Sequence, residues 1–117
     1  MNKYKRELPQ MPSFKQKGLH GYNYNLDNKE ISITMEDCFS GHDYYHTNIY
    51  SAHIYYIVEG AGKFKINGEI IEVKQGDVIE IPSNTEFVFA GKMKLLLIMT
   101  PGFRPQDGID GKENDLY

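Results

Sequence analysis

The sequence predicts one all-β domain, an antiparallel barrel of short strands, on three observations. Apolar residues recur at every second position over several short runs, the signature of a strand with one buried face. Turn residues punctuate those runs at short intervals, as in barrels and sandwiches. The apolar content comes mainly from Ile, Val, Tyr and Phe, with no Trp in 117 residues, a mix that fits pleated surfaces better than helices. No segment carries an apolar stripe of helical period. A chain of this length buries a core without needing a disulfide or metal.

Residues 1–18 contain Pro9, Pro12 and a short basic cluster of Lys3, Lys5 and Arg6 without sustained periodicity. They read as an extended N-terminal arm carrying no chemistry. The barrel is expected over 19–103. Tyr22 and Tyr24 alternate with polar neighbours, and Asp27, Asn28 and Lys29 turn the chain. Ile31, Ile33 and Met35 then alternate with Ser32, Thr34 and Glu36, a half-buried strand. After Ser40-Gly41, strands are expected over 43–50 and 53–58, joined at Ser51-Ala52, with a turn at Glu59 to Gly62.

A strand over 63–66 runs into Asn67-Gly68, the strongest hairpin signal in the chain, because both residues tolerate the positive φ of a type I′ turn. Strands over 70–74 and 78–81 follow. Pro82 ends the latter because it cannot donate to a ladder. Residues 86–89 and 95–99 complete the set, and 104–117 read as a mostly extended C-terminal tail.

A net charge of −3 offers no basic face for phosphate neutralisation, so nucleic acid is an unexpected partner. No run approaches the ~18 apolar residues of a membrane span and no signal peptide opens the chain, so a cytoplasmic protein with no membrane partner is expected. The single cysteine, Cys38, reads as a small buried hydrophobe. No Gly-rich loop opens a helix, and no Ser-His-Asp or reactive Cys-His order stands out.

Strand alternation turns His46 and Asn48 to one face, and a tight connection brings His53 onto the neighbouring strand beside them. Three polar side chains then converge in an apolar interior. There they bind a metal, water or ligand, or satisfy one another, since an unpaired buried polar group costs roughly 1–3 kcal/mol. Parity puts Tyr44, Tyr50 and Tyr55 on the same side, with Phe64, Phe87 and Phe89 as apolar lining, the composition of a small-molecule cavity. His42 shares the parity of His46. Four extended residues put it ~13 Å away, out of reach of one ion, and make it a residue of the cavity mouth.

The run His46-Thr47-Asn48, four residues, His53, six residues, Gly60 resembles the first motif of the cupin family, His-x-His, three or four residues, Glu, six residues, Gly. Gly76, five residues, Pro82, one residue, Asn84, two residues, Phe87 resembles the second motif, in which Gly and His hold the last two places. Asn84 keeps the turn, because Asn enters left-handed backbone readily. The resemblance spans residues 30 to 103 and implies a cupin-type (jelly-roll) β-barrel.

The resemblance also implies a metal held by three His and one Glu. His46, Asn48, His53 and Phe87 stand at those positions; only the two His are good transition-metal ligands, Asn48 is a weak one, and Phe87 removes one outright. Glu86 should point outward and not replace it. The expectation is therefore a partial site for a divalent metal (Zn, Fe, Mn or Ni) on His46, His53 and Asn48.

The function expected is small-molecule binding by a cupin-like barrel, commonly paired as a homodimer through edge strands. One alternative is a metal-dependent isomerase, lyase or dioxygenase acting on a small polar organic or sugar-derived substrate, with a tyrosine as proton donor. The other is a non-catalytic dimeric scaffold.

Overall fold

Turn chemistry sets the strand boundaries in the computed structural model, which describes residues 2–117. At Asn67-Gly68 both residues take positive φ, 48° and 87°, and they join β5 (Ala52–Ile66) to β6 (Glu69–Lys74). Asn84 takes φ 58° in the connection between β7 (Val78–Ile81) and β8 (Phe87–Ala90). Both left-handed positions are those expected from the sequence.

The remaining strands are β1 (Phe14–Lys15), β2 (Leu19–Asn23), β3 (Ser32–Cys38), β4 (Tyr44–Asn48), β9 (Met93–Thr100) and β10 (Gly108–Glu113). All pairings are antiparallel, in the order β1-β2-β3-β9-β5-β8-β4-β10, with β6 and β7 also on β5. This is the all-β, cupin-type barrel expected.

The turn expected at Glu59 to Gly62 is not a turn. β5 runs through it, pairing with β9 and β7 in its first half and with β6 and β8 in its second. The reason is local: a register shift falls between Ile57 and Glu59, and Gly60 takes φ 86°. A side chain at Gly60 would collide with the Lys92 carbonyl. The glycine and the bulge bend the strand from one sheet to the other instead of reversing it.

Tyr55, Phe64, Phe87, Phe89, Ile57 and Leu95 form the centre of the core. β3 is half-buried as expected, but its polar set faces inward. Thr34, Glu36 and Cys38 are buried while Ile33 and Met35 are only partly covered. The outer face of this sheet is apolar, with Ile33 beside Ile98, Met35 beside Leu96 and Tyr56 on the other flank of Leu96.

Arm and tail both join the barrel. β1 adds to β2, its Phe14 ring lying over Gly21, where any side chain would collide with it. β10 closes onto β4. Beyond it, Leu116 packs with Tyr45, Val88 and Ala90 in a second small apolar cluster.

Candidate active site

A cavity of about 360 Å³ lies between the two sheets, within the ~300–1,000 Å³ usual for small-molecule sites. β5 supplies His53 and Tyr55, β4 supplies His46, and β3 supplies Thr34 and Glu36. The arm contributes Ser13, Phe14 and Gln16, and β10 contributes Asp110. The arm expected to carry no chemistry is thus part of the wall.

His46 and His53 meet inside the barrel as the sequence predicts, with ring centroids 5.9 Å apart. His53 is almost wholly buried and stacks on Tyr55 at 6.0 Å. His42 departs from expectation. Its ring lies 6.3 Å from that of His46 rather than ~13 Å along a strand. The extended ladder begins only at Tyr44, and the bend at Asp43 folds His42 back over Phe89, centroid to centroid 4.0 Å. Three imidazoles therefore face one space.

Phe87 stands among all three, 5.6 Å from His42, 5.9 Å from His46 and 5.1 Å from His53. The apolar lining expected from Phe64, Phe87 and Phe89 is not observed: all three are buried in the core behind the rings, and Phe14, Leu97, Met99 and Phe103 line the cavity instead. Tyr44 lines the cavity at its exposed rim.

Tyr50 does not join them. β4 ends at Asn48, whose Oδ1 accepts the backbone N–H groups of Tyr50 and Ser51 at 2.9 and 2.6 Å. That side-chain turn breaks the alternation on which the inward placing of Tyr50 rested. Its ring packs instead under the Arg104 guanidinium at 3.9 Å. Arg104 in turn donates to buried Asp107 at 2.7 and 3.0 Å.

Burial sets the protonation states. Desolvation first, then the neighbouring imidazoles His46 and His53, lowers His42 to about 3. Desolvation, then His46, lowers His53 to about 4. Both rings are neutral at pH 7. Desolvation, then the carboxyl of Glu36 and the thiol of Cys38, pushes Tyr55 well above the ordinary phenol range. Desolvation pushes Glu36 up to about 8.

Asp110 was invisible in the sequence reading. β10 sets it opposite His46, with its Oδ1 3.3 Å from Nδ1 of the ring. A carboxylate oxygen accepts, so Nδ1–H of the ring donates in this pair. Gly108 on the same strand makes room: a side chain there would stand 2.9 Å from His46 Cε1. This strand lies in the segment expected to be a mostly extended tail, where Gly108 and Gly111 are the only glycines.

The residues do not fit the metal that the motif implies. His46 and His53 are neighbours, but the Asn48 oxygen is taken up by two backbone amides and Phe87 offers no donor. Among the described residues no group of three or more His, Cys, Asp or Glu is arranged to hold an ion. A transition-metal centre needs three or four such donors.

No curated protein matches the sequence. Among solved structures, a Streptomyces PAC13 variant with uridine superposes with TM-score 0.89 at 28% identity, covering 97% of this chain and 93% of that one. Pac13, described as a unique nucleoside dehydratase, superposes with TM-score 0.88 at 27% identity over 96% and 93% of the two chains. Oxalate decarboxylase from Bacillus subtilis shares the fold at TM-score 0.73 and 16% identity, over 82% of this chain and 28% of that one. Similar structures thus include enzymes, and some hold small molecules. The family model for the cupin domain (Cupin_2) matches residues 37–99, more than half the chain, and with the barrel described above it identifies this protein as a member of the cupin family.

Proposed function

We propose that the chain is a lyase that binds a nucleoside-like small molecule in the cavity and eliminates water from it by acid–base chemistry. The observation that carries this reading is the His46–Asp110 pair, opening into a cavity that also holds the neutral imidazoles of His42 and His53 and the hydroxyl of Tyr55. The extensive likeness to a nucleoside dehydratase supports the substrate class.

Elimination of water removes a proton from one carbon and a hydroxyl from its neighbour. His46 Nε2 accepts the proton, and Asp110 holds the imidazolium that forms. The electron pair of the broken C–H bond becomes the new double bond as the C–O bond breaks. Tyr55, kept protonated by its surroundings, donates to the departing oxygen. His42 and His53, both neutral, offer ring nitrogens to the substrate hydroxyls. Phe14, Leu97 and Met99 give the cavity an apolar wall that excludes water, which strengthens each of these polar contacts.

Calorimetric titration with uridine tests the binding half. Saturable binding in wild type that is lost in His53→Ala supports the reading, and no binding overturns it. Incubation with hydroxylated nucleosides, followed by mass spectrometry, tests the chemistry through loss of one water. Binding without any such loss would favour a simple small-molecule binder.

We also infer that two copies pair, through the apolar outer face around Ile33, Met35, Ile98 and half-exposed Tyr56 rather than through strand edges. Covering that face removes apolar surface from water. A dimer in sedimentation velocity that Tyr56→Glu converts to monomer is the expected result.

A further inference from the structure

β3 turns a carboxylic acid into the barrel, and nothing in the protein uses it. Glu36 is 2% exposed, lines the cavity, and its Oε1 has no hydrogen-bond partner. Of the three buried side-chain atoms left without a partner among the described residues, Glu36 Oε1 and His42 Nδ1 belong to cavity-lining residues. His42 stands with the imidazoles. Glu36 does not: its rung is shared with Leu95 and Ile57, whereas His53 shares a rung with Met99 and Ser32, four residues along β3. At ~3.3 Å per residue the two rungs lie ~13 Å apart. The cavity therefore has a second polar pole, away from the three imidazoles.

Its surroundings restrict what it can bind. Salt-bridge partners of Glu36 are absent among the described residues, so a cation does not hold it ionised. The Thr34 hydroxyl, two residues before it, donates to Asn23 Oδ1 at 2.8 Å. That bond leaves the Asn23 amide nitrogen as a donor on the same wall. The thiol of Cys38 and the hydroxyl of Tyr55 complete the ionisable groups nearest to it.

Resting on the reading of the cavity as a nucleoside-type site, we propose that Glu36 is the specificity-determining residue, its carboxyl pairing with an adjacent C=O and N–H on the edge of the ligand's heterocycle. The acid O–H donates to the ring carbonyl and the other oxygen accepts from the ring N–H, closing a two-bond ring. Such a pair satisfies both carboxyl oxygens at once. A site that pairs with a polar edge rejects analogues lacking it, because its own buried groups are then left unpaired. Burial, which pushes the acid up to about 8, keeps its proton in place at pH 7.

Calorimetric titration with uridine and 3-methyluridine, in wild type, Glu36→Gln and Glu36→Leu, tests this. The Gln side chain reproduces the donor and acceptor of the acid, so it should bind uridine within about threefold of wild type. Leu should lose at least tenfold while gaining in Tm, since it removes an unpartnered group. Methylation of the ring N–H should cost wild type tenfold or more. Uridine affinity in wild type should fall above about pH 8, and Gln should remove that fall. His42, His46 and His53, Asp110, Tyr55 and Cys38 are unchanged in the variant, so a fall that Gln removes is assigned to Glu36. Equal binding of uridine by Leu and wild type, or of 3-methyluridine and uridine by wild type, overturns the proposal with the nucleoside reading intact. Absence of uridine binding to wild type overturns that reading, and this assignment with it.

Discussion

His46 Nδ1 lies 3.3 Å from Asp110 Oδ1, across the seam where the last strand of the chain closes onto β4. An acid from the tail thereby fixes the tautomer of an imidazole held by the barrel. The pair is partly exposed, with side chains 25% and 68% accessible, so its value is orientation rather than stability.

Asp110→Asn should therefore leave Tm nearly unchanged and lower turnover by about 100-fold, within the range for losing a positioned general base. The amide can present its nitrogen to Nδ1, which favours the opposite tautomer. Steady-state kinetics should show the loss in kcat more than in KM.

Gly108→Ala tests the same relationship sterically. The new Cβ would stand 2.9 Å from His46 Cε1, so the ring must rotate away from Asp110. The expected outcome is a kcat loss comparable to that of Asp110→Asn in a protein with an unchanged circular dichroism spectrum.

The pH dependence of stability should have two limbs of opposite sign. Glu36 has its folded value raised from 4.5 to about 8. Its contribution is full below about 4.5 and is lost as pH rises through 8, because the unfolded chain ionises first. His42 and His53 have theirs lowered from 6.5 to about 3 and about 4. Their contribution is present above 6.5 and is lost as pH falls through those values. Denaturant titrations from pH 4 to 9 should show a maximum between the limbs, with Glu36→Gln flattening only the alkaline limb and His42→Phe only the acid one.

Phe87→His should convert the cluster into a metal site. The Phe87 ring is within 5.1–5.9 Å of all three imidazoles by centroid, so a histidine there adds the donor that the two-imidazole set lacks. Zinc affinity should rise at least tenfold over wild type by competition with a chelating dye. Wild-type activity should survive dialysis against EDTA.

Most strand positions and several turns were legible because they depend on local chemistry: Asn67-Gly68 and Asn84 announce their backbone conformations. The meeting of His46 with His53 was legible for the same reason, as alternation within one strand and a short connection into the next. What failed was alternation carried past the end of a strand. Tyr50 lies beyond the Asn48 turn and His42 lies before the bend at Asp43, so each points where the irregular backbone sends it. Gly60 was misread because a glycine serves equally to reverse a chain and to bend a strand. Glu36 was missed because a charged residue in an alternating position ordinarily faces water, and Asp110 because its segment read as a tail outside the barrel. Only the closure of β3 and β10 onto the barrel reveals the cavity they line.

The central claim is that the imidazoles of His42, His46 and His53 face one bound nucleoside-type ligand. Nitrogen-15 NMR of protein labelled at histidine, titrated with uridine, tests it most directly. Ring-nitrogen resonances of all three should shift along one saturation curve, while His20, beside Phe39, stays fixed. Saturable binding of uridine that leaves the three rings unmoved would contradict it.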